Sequence, residues 1–142
     1  MRENLTIAVD FDGTIVENRY PEIGKPILFA VETLLKLQEE GHNLILWTYR
    51  TGISLEEAVN FCRKKGIYFY AVNKSHPEEI FDTSLSRKIQ ADYFIDDRNI
   101  GGLMGWGEIY HNLNKVSASR SNTKTKKINN KKGVLHYLKL KL

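Results

Sequence analysis

The chain is predicted to fold as an α/β protein, in three layers around a central parallel sheet. Short apolar runs of strand length alternate with segments whose apolar residues recur at helical spacing. Glycine, proline or small polar clusters punctuate most of the junctions between them. Strands joined through helices run parallel and are covered on both faces. Right-handed crossovers then bring all strand C-termini to one edge.

Leu5 to Val9 reads as the first strand and stops at Asp10; a turn follows over Asp12 to Thr14. Tyr20 to Pro26, with two prolines and a glycine, is a loop. A helix should begin near Pro26, a favoured first-turn residue, with Leu28, Val31, Leu34, Leu35 and Leu37 on its buried side and Gly41 as its stop. Asn43 to Trp47 is the second strand, ending at Thr48. Ser54-Leu55-Glu56-Glu57 has the form of a capping box before a helix carrying Leu55, Ala58, Val59 and Cys62, closed by Gly66. Ile67 to Val72 makes the third strand. A short helix is expected after Pro77, then a brief strand at Tyr93-Phe94-Ile95 and a last helix within Gly102 to Leu113.

Charge divides the chain. Residues 1–114 hold 12 Lys/Arg against all 17 Asp/Glu, whereas residues 115–142 hold nine Lys/Arg and no acid. From Ser117 to Gly133 the only large apolar residue is Ile128, too little burial to offset ordering entropy. The expectation is a folded domain over 1–114 and a basic, mobile tail over 115–142. Leu138, Leu140 and Leu142 alternate with lysines, as in a short strand. No apolar stretch approaches the roughly 20 residues of a membrane span, and no signal-like run opens the chain. A single cysteine, Cys62, rules out an internal disulfide. A cytoplasmic protein without a membrane partner is expected.

The shared strand edge collects the chemistry. Asp10 and Asp12 follow the first strand, Thr48 the second, and Asp96 with Asp97 the last. Side chains two apart on a strand share a side, so Asp10 and Asp12 put two negative charges in one small volume. Such a group resists joint ionisation unless a cation compensates it. An all-oxygen donor set suits a hard divalent ion, Mg2+ above all. Lys88, eight residues before Asp96, is a candidate for the remaining positive charge. Carboxylate nucleophile, metal and lysine together fit phosphoryl chemistry.

These residues resemble the haloacid dehalogenase superfamily in its phosphatase branch. Ile7-Ala8-Val9-Asp10-Phe11-Asp12-Gly13-Thr14 matches its first motif, and Leu44-Ile45-Leu46-Trp47-Thr48 its second. Lys88 matches the third and Tyr93-Phe94-Ile95-Asp96-Asp97 the fourth. The resemblance implies a Rossmann-like domain in which Asp10 attacks phosphorus and Asp12 serves as acid and then base. It implies Mg2+ held by Asp10, the main-chain carbonyl of Asp12 and Asp96, with Asp97 acting directly or through water. Thr48 would bind a phosphoryl oxygen, Lys88 would neutralise Asp10 and phosphate, and Thr14 would secure the turn. The gaps Thr14 to Pro26 and Asn73 to Lys88 are too short for the cap domains of larger relatives. The site should then be open, covered by the 15–26 loop or by a neighbouring subunit in a homo-oligomer.

Plainer readings stand beside these. Asp10 and Asp12 could form an Asx-turn, Asp96-Asp97 could cap the next helix, and Lys74 or Arg87 could replace Lys88. Arg50 either grips substrate phosphate or is simply solvated; Arg98 reads as a partner for nearby acids. Trp47, Tyr49 and Trp106 read as core, and the four histidines show no ligand spacing. Three functions compete: a phosphatase for a small phosphorylated metabolite such as a sugar phosphate or nucleotide; a nucleic-acid-end phosphatase helped by the basic tail; or a non-catalytic, phospho-accepting or metal-binding interaction domain.

Overall fold

Four parallel strands in the order β3-β2-β1-β4 form the sheet. A computed structural model of the chain describes residues 2–140. Its elements are β1 (Thr6–Val9), α1 (Ala30–Glu39), β2 (Asn43–Leu46), α2 (Gly52–Lys64), β3 (Ala71–Val72), β4 (Tyr93–Ile95) and α3 (Trp106–Leu140). This is the α/β, Rossmann-like arrangement that the alternating pattern predicts. Central position explains composition: β1 and β2 pair along their whole lengths, and Ile7, Ala8, Val9, Leu44, Ile45 and Leu46 are all buried.

Ala8, Ile45 and Ala71 lie side by side on one face of the sheet. Ile89 closes that face, with Trp47 and Ala91 packed around it. The connection from β3 to β4 does this without the short helix expected after Pro77; among the described residues it has only turns and bends.

Other boundaries also move, each for a local reason. Helix α1 starts at Ala30, not near Pro26, because the preceding residues are used by a hairpin: Val16 bridges Pro26, and Ile27 N–H donates to the Ile15 carbonyl at 2.9 Å. Leu28 is therefore exposed instead of buried. Helix α2 starts at Gly52, and Ser54, read as a cap, instead donates its hydroxyl to the Thr51 carbonyl at 2.9 Å. Gly41 and Gly66 end their helices as expected, each following the last turn with positive φ.

Residues cluster into two compact units. Asn4–Tyr110 holds the sheet, α1, α2 and the first turn of α3. The second unit comprises residues 2–3 and α3 from His111 onward. The division falls a few residues before the expected 114/115 boundary, but the basic segment is helical through Leu140, and Leu138 to Leu140 of the strand pattern lie within that helix. Lys141 and Leu142, the end of that pattern, lie outside the described residues. The segment's hydroxyls bond back along the helix. Ser119, Ser121, Thr123 and Thr125 donate to the carbonyls of Lys115, Ser117, Ser119 and Ser121, four residues back. Ser117 and Lys124 also bind Glu3, at 2.5 Å each.

Candidate metal and phosphoryl site

The pairing of β1 with β4 builds the acidic cluster. Val9 sits beside Ile95, and Asp10 N–H donates to the Ile95 carbonyl at 2.9 Å, so the chain leaves both strands at Asp10 and Asp96 together. The carbonyl of Phe11 then accepts the N–H groups of Thr14, Ile15 and Val16, a tight turn that swings Thr14 back under the acids. The Thr14 hydroxyl lies 3.0 Å from Asp10 Oδ2 and 3.2 Å from Asp97 Oδ1, and it accepts the Asp97 N–H at 3.0 Å. Its carbonyl takes the indole N–H of buried Trp106 at 3.0 Å. Gly13 is required twice over: its φ is +85°, and a Cβ there would lie 2.3 Å from Asp97 Oδ2.

Asp10, Asp96 and Asp97 each offer an oxygen within 4.8 Å of the others. Asp96 Oδ1 accepts the Arg98 N–H at 2.9 Å, which shapes a turn; the next helix begins only at Trp106, so the pair is not a helix cap. Burial, followed by the charge of Asp96, pushes Asp10 up to about 7, against the hydrogen bond from Thr14. Three crowded carboxylates with oxygen-only donors fit a hard cation such as Mg2+.

The weakened acidity of Asp10 has a measurable consequence. The unfolded carboxyl loses its proton near 3.8 and the folded one near 7, so the metal-free fold loses stability as pH rises through that window. The loss should be on the order of 2 kcal/mol after screening of this half-buried group. Melting curves in chelator should show it, and Asp10→Asn should remove it. Added Mg2+ should raise the melting temperature at pH 8 and barely at pH 5, where protons compete for the ligands.

Asp12 points elsewhere. Arg50 holds it in a bidentate pair, Nε to Oδ2 at 2.7 Å and Nη2 to Oδ1 at 2.8 Å. The remaining guanidinium donors go to the carbonyls of Pro21, Glu22 and Ser54. The rings of Phe11 and Tyr20 lie 5.0 and 5.2 Å from its central carbon. All five Arg50 donors are thus used. This corrects both readings of Arg50: it neither grips phosphate nor faces solvent. The Asp12 carboxylate is likewise outside the group of three acids suited to a cation, and only its main-chain carbonyl is left for the ligand role expected of it.

A cavity of about 730 Å3 opens beside the acids, lined by Asp10, Asp12, Asp96, Thr48, Asn18, Tyr20, Trp47, Tyr49 and Arg98. Thr48 is set by Asn73, whose side-chain oxygen accepts its N–H at 2.8 Å; the Thr48 hydroxyl accepts the Arg50 N–H at 3.2 Å and keeps its own proton to donate. Asn18 and Tyr20 come from the hairpin over 15–27, pinned by Glu17 N–H to the Lys25 carbonyl and by Arg50. That loop therefore forms part of the cavity wall.

The structure does not bring Lys88 to this cavity. Its ammonium stands 5.8 Å from the Phe94 ring, and it is not among the lining residues. Lys74 follows Asn73 at the strand-end edge, with its ammonium on the Pro77 carbonyl at 2.7 Å. Arg98 is the cationic side chain that lines the cavity. One aromatic is also corrected: Tyr49, read as core, is 95% exposed. Trp47 packs on the core cluster as read and also lines the cavity, and Trp106 is core as read. His42 is buried, with Nδ1 accepting the Leu5 N–H, and His76 faces Glu78; neither lines the cavity.

No family model matches the chain, and no curated protein matches it. Among solved structures, it is similar to a conserved protein coded by a locus of Bacteroides thetaiotaomicron. The two are 60% identical, the match covers 76% of this chain and 88% of that chain, and the TM-score is 0.72.

Proposed function

We propose that this chain, which belongs to the same family as the conserved Bacteroides thetaiotaomicron protein, is a Mg2+-dependent phosphomonoester hydrolase of the haloacid dehalogenase type. The carrying observation is the convergence of Asp10 with Asp96 and Asp97 within 4.8 Å at the strand edge, beside an open cavity. Those three acids would hold Mg2+, with the Asp12 carbonyl, and the ion would supply positive charge for the phosphoryl oxygens.

Each residue then has a defined task. An Asp10 oxygen attacks phosphorus, the bond from phosphorus to the leaving oxygen breaks, and Asp12 gives that oxygen a proton. Water next attacks the phospho-aspartate; Asp12 takes its proton, and the Asp10 carboxylate and inorganic phosphate are released. The two bonds to Arg50 fix the direction of the Asp12 side chain; Asp12 enters the first step protonated, with the proton it gives to the leaving oxygen on a lone pair that Arg50 does not occupy. The Thr48 hydroxyl is free to donate to a phosphoryl oxygen. Arg98 takes the substrate-facing positive role expected of Lys88.

Hydrolysis of small phosphomonoesters, with Mg2+ or with chelator, tests this reading; turnover that survives complete chelation would reject it. In the same assay Arg98→Met should raise KM about tenfold or more, the loss of one charge-assisted phosphate contact. Lys88→Met should change kcat/KM less than about threefold, as for an exposed charge away from the site. The opposite ranking would return Lys88 to the catalytic set.

A further inference from the structure

We propose that the cavity beside the acids selects phosphomonoesters whose organic part is a flat, unsaturated ring, nucleoside monophosphates being the metabolite class, with Tyr20, Trp47 and Tyr49 as the stacking surface. The inference rests on the phosphatase reading and names its substrate. A volume of about 730 Å3 far exceeds one phosphoryl group and falls among pockets that enclose whole small molecules.

Aromatic rings dominate the wall away from the acids, and the fold holds two of them in place. Trp47 packs against the buried cluster of Ala8, Ile45, Ala71 and Ile89. Tyr20 is half exposed and lies against the Arg50 guanidinium at 5.2 Å, which the bonds to Asp12 and three carbonyls immobilise. Tyr49 is the opposite case: directly after Thr48, it is 95% exposed and contributes almost nothing to the core. A ring that packs on nothing, next to the residue that would bind phosphate, is placed for a ligand.

The polar groups argue in the same direction. Apart from the acids, the wall's polar side chains are Asn18, Thr48 and Arg98, and its other polar side-chain groups, the Tyr20 and Tyr49 hydroxyls and the Trp47 indole N–H, are carried by the rings themselves. Asn18 Oδ1 already accepts the Tyr20 N–H, at 3.4 Å. Among the described residues Arg98 is the one cationic side chain lining the cavity, and the first phosphate uses it, so a monophosphate fits better than a di- or triphosphate.

The test compares adenosine, guanosine and uridine monophosphates with glycerol phosphate, glucose 6-phosphate and an aryl phosphate, on the full chain with Mg2+. Base stacking predicts that kcat/KM for nucleotides exceeds that for glycerol phosphate about tenfold or more, and that Tyr49→Ala lowers this ratio about tenfold. Tyr49→Phe should keep the ratio. In an Asp10→Asn background, nucleotide binding read by Trp47 fluorescence should weaken in parallel when Tyr49 is replaced by Ala; Trp106 is buried and reports little. Equal or better turnover of glycerol or glucose phosphate, or a ratio indifferent to Tyr49→Ala, overturns the stacking surface and leaves the phosphatase standing. An aryl phosphate turned over far better than every nucleotide keeps the surface and overturns the nucleotide assignment. Tyr49-dependent nucleotide binding with no hydrolysis of any ester supports the surface and rejects the phosphatase.

Discussion

Asp10→Asn is expected to abolish turnover, by at least about a thousandfold, with the fold retained. The substitution removes the attacking oxygen's charge and nothing structural. Asparagine keeps an oxygen able to accept the Thr14 hydroxyl, which lies 3.0 Å from Asp10 Oδ2. The Asp10 main-chain bond to the Ile95 carbonyl is independent of the side chain. In the absence of metal the variant should be more stable than the wild type near pH 8, because it removes a half-buried charge beside Asp96 that burial already pushes up to about 7. Loss of activity together with a gain in stability is the signature of a functional carboxylate. A variant that is inactive because it is unfolded would lack that gain, so melting curves and kinetics measured together decide between the two.

Arg50→Met should cost the most stability. It deletes the bidentate partner of Asp12 and the donors to the Pro21, Glu22 and Ser54 carbonyls, from a side chain with no exposure. Breaking such a pair leaves an uncompensated charge and typically costs about 3–5 kcal/mol. The same change releases the hairpin that carries Asn18 and Tyr20, so kcat should fall with the stability. Lysine cannot substitute, since a point charge reproduces neither the bidentate geometry nor the stacking between Phe11 and Tyr20. The double variant Asp12→Asn/Arg50→Met should recover part of the stability but none of the activity. Denaturant unfolding of the two single variants and the double gives the coupling directly. Additive losses would show that Arg50 does not act through Asp12.

Much of this site was legible in the sequence because its placement follows from topology. Asp10, Thr48 and Asp96 each end an apolar run, and parallel strands put such ends on one edge. Arg50 was not legible: its partners lie 28 to 38 residues away, except for the Ser54 carbonyl. No periodicity reports a guanidinium enclosed by a hairpin and two rings. Lys88 was misplaced for a related reason, since spacing from Asp96 says nothing of the Phe94 ring that holds its ammonium. The exposed Tyr49 was read as core because hydrophobicity alone does not distinguish a ring that packs from one left in solvent. Helix α1 started late because long-range pairing of Val16 with Pro26 overrode a local preference. The alternation at Leu138 and Leu140 was read as a strand because a short apolar pattern does not by itself distinguish strand from helix.

Acid-quenched peptide mapping after brief exposure to an aryl phosphate and Mg2+ addresses the mechanism most directly, with Asp12→Asn used to slow breakdown of any covalent species. An acyl phosphate carried by Asp10 alone, labile to hydroxylamine and accumulating in the Asp12→Asn variant, is the expected finding. Product released in a single turnover with no phosphorylated carboxylate, or with the phosphoryl group on a different residue, would contradict it.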